Sequence, residues 1–86
     1  MAKWRVFSLD VWGNEENGYD VNDRRQVGTI DLKYKAFSDN QLLKALVDAG
    51  IATMKPKDKN HISIDGGEDY ISIDYRGKPV FQLEKE

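Results

Sequence analysis

The sequence predicts an α+β domain: an antiparallel sheet of about five strands, in chain order β-β-α-β-β-β, with one helix packed on one face. Three observations predict it. Only the stretch from Ser38 to Gly50 repeats apolar residues at helical spacing. Most of the remaining chain falls into stretches that alternate apolar and polar residues, as half-buried strands do. Turn-forming residues separate several of these stretches, and neighbouring strands joined in this way pair most simply as antiparallel hairpins. A single helix over one side of such a sheet buries both apolar surfaces at once.

The first strand is expected from Lys3 to Trp12. Phe7, Leu9 and Val11 share one side; Trp4, Val6, Ser8, Asp10 and Trp12 share the other. The wholly apolar set should meet the helix, leaving two tryptophans on the open side. Gly13 to Asp23 reads as a long loop rich in residues that tolerate positive φ, with Tyr19 and Val21 tucked against the sheet. A second strand follows from about Gln26 to Lys35, with Ile30, Leu32 and Tyr34 inward.

The helix has both ends written into it. Ser38 is a good N-cap, and Gln41 three residues later completes a capping box. Leu42, Leu43, Leu46 and Val47 form the apolar stripe, and Gly50 suits a left-handed C-terminal cap with Ile51 folding back. Ala52 to Asn60, with Pro56 and its lysines, reads as a surface connector. The last third is a three-strand meander. His61 to Asp65 alternates, Gly66-Gly67 signals a two-residue turn, and Tyr70 to Tyr75 alternates again. Arg76 to Pro79 makes the next turn, and Val80 to Glu84 is the last strand, with Phe81 and Leu83 inward.

Residues 1–86 read as a single domain, large enough for one thin core. There is no cysteine, which excludes disulfides and thiolate metal sites. No run of about 18 apolar residues offers a membrane span, and the first residues lack the apolar core of a signal peptide; a cytoplasmic location is the expectation. The net charge of −2 argues against a strongly basic nucleic-acid clamp. Two local biases stand out. Glu15, Glu16, Asp20 and Asp23 occur between Gly13 and Asp23 without a basic residue, and Lys55, Lys57 and Lys59 cluster before His61. Either is most simply a solvated surface segment.

Catalytic equipment is sparse. The one histidine, His61, has no partner signature, and no serine lies in a Gly-x-Ser-x-Gly elbow. The acidic clusters lack the ligand register of a calcium-binding loop, and no phosphate-binding glycine motif is present. An enzyme, a metal and a cofactor are therefore not expected, and a small hydrolase or metal-dependent enzyme is only a residual class.

The run Trp4-Arg5-Val6-Phe7-Ser8-Leu9-Asp10-Val11-Trp12-Gly13-Asn14, with Gly18 to Asp23 after it and Gly77 to Glu84 at the end, resembles small uncharacterised proteins encoded by bacteriophages. The resemblance carries no activity and no site residue. It implies a short protein that acts by binding a host or phage macromolecule, in the cytoplasm of the host cell.

The sequence thus points to a non-enzymatic binding protein that engages a protein partner or a second copy of itself. Trp4, Trp12, Tyr19 and Tyr70 are the expected anchors, because buried aromatics dominate interface energetics. Glu15, Glu16 and Asp20 would steer a basic partner, and Arg76 lies on the same open side. The alternative is a single-stranded nucleic-acid binder that uses the same aromatics for stacking and Lys33, Lys55, Lys57, Lys59 and Lys78 along the backbone.

Overall fold

The computed structural model describes residues 2–32, 38–52 and 61–86. The elements follow in the expected chain order: β1 (Ala2–Asn14), β2 (Gly18–Leu32), α1 (Asp39–Asp48), β3 (Ile62–Gly66), β4 (Tyr70–Tyr75) and β5 (Lys78–Lys85). All the strands belong to one antiparallel sheet, in the spatial order β2-β1-β5-β4-β3. The last strand therefore returns to lie beside the first. Among the described residues no helix is long and apolar enough to cross a membrane.

α1 forms for the reasons its sequence gives. The Ser38 side chain accepts a hydrogen bond from the Gln41 backbone N–H at 3.2 Å, and the Gln41 side chain accepts one from the Ser38 N–H at 2.8 Å. At the other end Gly50 takes φ +74, its N–H donates to the Val47 carbonyl, and Ile51 N–H donates to Leu46. These two bonds are the Schellman pattern and satisfy carbonyls that the helix leaves orphaned. Val47, placed in the apolar stripe by spacing, is exposed, whereas Leu42, Leu43 and Leu46 are buried.

Leu42 and Leu46 belong to one buried cluster with Trp4, Val6, Ile30, Leu32, Ile71, Ile73 and Leu83 from the strands. Full burial of such side chains is worth about 1.5–3 kcal/mol each. Ile51 leans over Gly28, where a β-carbon would meet its Cδ1 at 3.1 Å. Gly28 is thus the low point in β2 into which the chain after α1 settles.

The assignment of sides in β1 is corrected. Trp4 and Val6 are buried in the cluster, while Phe7, Leu9 and Val11 lie on the opposite side and are only half-buried. The reason is the length of strand that has neighbours on both flanks. β1 pairs with β5 only from Trp4 to Ser8. Within that body the choice is between Trp4 and Val6 on one side and Arg5 and Phe7 on the other, and burying Arg5 would be costly. Leu9 and Val11 lie beyond the body and have no weight in that choice.

The expected loop from Gly13 to Asp23 is also corrected. β1 and β2 continue as a paired ribbon until Asn14 meets Gly18. Gly13 (φ +123) and Gly18 (φ +84) set the turn, and Asn17 N–H donates to the Asn14 side-chain oxygen at 2.8 Å. Two bulges in β2, at Asn22 and Val27, shift its register against β1. A bulge resets which residues share a side, so simple alternation fails for β2 before Gly28.

The meander β3-β4-β5 is paired as expected, with two differences in its turns. Gly66 and Gly67 do not adopt positive φ. The turn is at Glu68-Asp69, closed by Gly67 N–H donating to the Tyr70 carbonyl at 2.8 Å. Gly66 is needed instead for close approach, since a β-carbon there would lie 2.9 Å from the Tyr70 oxygen. In the next hairpin, Arg76 (φ +53) and Gly77 (φ +82) are the two turn residues, and Lys78 and Pro79 already belong to β5. Both positive φ values match the right-handed twist of the flanking strands.

Candidate interaction surface

Among the described residues, the sheet narrows to two strands beyond Ser8. Residues Leu9–Asn14 of β1 and Gly18–Arg24 of β2 form a hairpin arm that runs past the end of the β1–β5 pairing. At about 3.3 Å per residue its β1 strand extends about 20 Å. β5 stops following β1 where Val80 bulges out of the β4 ladder, next to Pro79, which has no N–H to donate.

Register gives the arm two unlike sides, because directly opposed residues share a side. Trp12 stands opposite Asp20 and Asp10 opposite Asp23, on the side that continues from Trp4 and Val6. Asn22 donates to an Asp10 carboxylate oxygen at 3.4 Å. On the reverse, Val11 stands opposite Val21, and Leu9 opposite Arg24. One side is therefore acidic around an indole, and the other is aliphatic except for Arg24 at its base. Trp12 is 64% exposed and Val21 48%. From Leu9 to Asp23 the chain has Asp10, Glu15, Glu16, Asp20 and Asp23, and no lysine or arginine.

Where the arm joins the body, the reverse side carries a charged cluster. Arg24 donates to Glu84 at 2.6 Å, and its guanidinium lies 4.3 Å from the Phe7 ring centroid. Arg5 approaches the other Glu84 oxygen at 3.7 Å. The hydrogen bond from Arg24 is the main cause that holds the Glu84 carboxyl below the ordinary glutamate range, with smaller help from the charges of Arg24 and Arg5 against a desolvation cost. Two guanidiniums share the one Glu84 carboxylate, so this cluster keeps a net positive charge while it ties β2 to β5 across β1.

The residues singled out from sequence do not make one site. Trp4, expected as an exposed anchor, is 3% exposed and belongs to the core. Trp12, Tyr19, Glu15, Glu16 and Asp20 all lie on the arm or at its tip, with Tyr19 half-buried opposite Gly13. Tyr70 is 42% exposed but shares a row with Glu84 and Arg5, on the reverse side at the far end of the sheet. Arg76 is exposed in the β4–β5 turn, its guanidinium 5.7 Å from the Tyr75 ring centroid. Lys33, Lys55, Lys57 and Lys59 lie outside the described residues; Lys78 is exposed at the start of β5. Leu9 and Val11, expected to face the helix, and Val21, expected to tuck against the sheet, line the reverse side of the arm instead, the first two half-buried and Val21 exposed. The alternation of Leu9, Asp10 and Val11 was the signal that the strand runs on.

His61 is exposed, edge-on to Tyr75 at 6.3 Å. Among the described residues no group of three or more histidines or carboxylates is placed to hold a metal ion. No family model, curated protein or solved structure matches this chain.

Proposed function

We propose that this chain is a non-enzymatic binding protein whose β1–β2 arm engages a basic surface of a partner protein. The observation that carries this reading is the contrast between its two tryptophans: Trp4 is buried, while Trp12 is offered to solvent on a ribbon outside the buried cluster. In this reading α1 covers the side of the sheet that carries Trp4 and Val6, and the arm runs out from beneath that cover. Exposed indoles are favoured interface anchors because they bury a large area with few rotors to freeze. The surrounding carboxylates raise the encounter rate with a basic partner. They also repel a second copy of the arm and the phosphates of a nucleic acid, which favours a foreign protein over self-association or an oligonucleotide.

The test is affinity enrichment from cells that make the protein, with Trp12→Ala, Tyr70→Ala and Arg76→Ala compared at matched melting temperature. A protein retained by the wild type and by the last two variants, and lost with Trp12→Ala, is the expected result. Retention unaffected by Trp12→Ala contradicts the reading. Loss only on nuclease treatment moves the nucleic-acid alternative to the front.

A further inference from the structure

The arm has an edge as well as two sides. The Lys3 carbonyl accepts a hydrogen bond from Glu86 N–H at 2.9 Å, beside β5. In a strand the N–H and C=O of one residue point the same way, and the next residue points the other way. The odd-numbered residues of β1 therefore turn their backbone groups toward the β5 flank. The bulges that disturb the ladder lie in β2, so β1 keeps this alternation into the arm. By the same pattern that puts Glu86 N–H on the Lys3 carbonyl next to the Trp4–Lys85 pair, the Ser8–Phe81 pair engages Leu9 N–H with Val80. The Leu9 carbonyl and both backbone groups of Val11 point at the flank that β5 has left, and no described strand pairs with Val11 there.

Such an edge is a template for another strand, and natural edges are commonly blocked by a lysine, a proline or a covering loop. Here the side chains next to the edge are Asp10 and Trp12 on one side and Leu9 and Val11 on the other, with Asp20 and Val21 one strand further away on β2. None of these is a block against a basic strand. The charge selects the occupant: five carboxylates from Leu9 to Asp23 without a base disfavour a second copy of this arm and favour a cationic segment.

We infer that the Leu9–Gly13 edge of β1 accepts an extended segment of the partner as an added strand, and that this segment alternates basic and apolar residues. This rests on the reading of the arm as the binding element and adds the mode and the chemistry of recognition. Main-chain hydrogen bonds to Val11 and to the Leu9 carbonyl hold the segment. Its lysines or arginines lie beside Asp10 and the Trp12 face, where a cation over an indole is favourable. Its apolar residues extend the aliphatic row of Leu9, Val11 and Val21.

The probe is a capped ten-residue peptide of alternating lysine and valine, titrated into the isotope-labelled full chain at low salt. Controls are a block peptide of the same composition and an alternating peptide N-methylated at every second residue. Saturation should slow amide exchange at Val11 by about tenfold or more and shift Trp12 emission. Both control peptides should bind about tenfold more weakly, roughly 1.4 kcal/mol. Val11→Pro removes an edge donor that β2 does not use, so it should weaken binding similarly without loss of the β1–β2 ladder. The N-methylated peptide keeps the test decisive should that variant fold poorly, since it leaves the chain untouched. No binding by the alternating peptide, or equal binding by block and N-methylated peptides, overturns strand addition. The arm itself is judged separately, by whether Trp12→Ala releases the enriched partner.

Discussion

Trp4 and Trp12 share one side of β1 and meet opposite surroundings, one inside the cluster and one in solvent. Their common side was legible, since strand alternation has no other outcome. Which side is buried was not. It depends on where the second neighbour of β1 ends, and that is decided by Pro79 and the Val80 bulge some seventy residues later in the chain. Glu84 gives a prediction at this same scale. Its folded pKa is depressed by Arg24, so its stabilising effect is present above the unfolded glutamate pKa, about 4.3, and is lost as pH falls through the lower folded value. Glu84→Gln should therefore lower the urea midpoint at neutral pH. The two curves should converge in acid, as a pH series of urea titrations would show. A constant offset down to acid pH would mean that packing, not ionisation, is what the substitution removes.

Among the elements, α1 was the most legible, because its caps act within a few residues of sequence: Ser38 with Gln41, and Gly50 with Ile51. The hairpin arm was the least legible. Its glycines, asparagines and acids are all turn-forming types, and only pairing with the far strand shows that they continue a ribbon. Two bulges then take β2 out of simple period-two alternation. Gly13 holds the tip: its φ is +123, and a β-carbon would fall 2.2 Å from the Gly18 oxygen. Gly13→Ala should open the arm locally, at a cost of about 1–3 kcal/mol. Amides of the arm's ladder should exchange about tenfold faster or more, while those of Val6 and Ile30 keep their protection. Equal acceleration in both places would show that arm and body unfold as one unit, not separately.

For the whole molecule, the return of β5 to the flank of β1 makes one sheet from two hairpin systems, and it also leaves the arm over. The core that closes around Trp4, Val6 and Leu83 does not include the aliphatic and acidic ribbon, which extends about 20 Å past the β1–β5 pairing. That excess adds to the proposal, carried by the contrast between Trp4 and Trp12, that the arm serves recognition. The most direct measurement is the emission and acrylamide quenching of two single-tryptophan variants, Trp4→Phe and Trp12→Phe. In Trp4→Phe the remaining Trp12 should emit at long wavelength and be readily quenched, and in Trp12→Phe the remaining Trp4 should emit at short wavelength and resist quenching. A shielded, blue-emitting Trp12 in the free monomer would contradict the account, because the arm would then be part of the core and not an element held out for a partner.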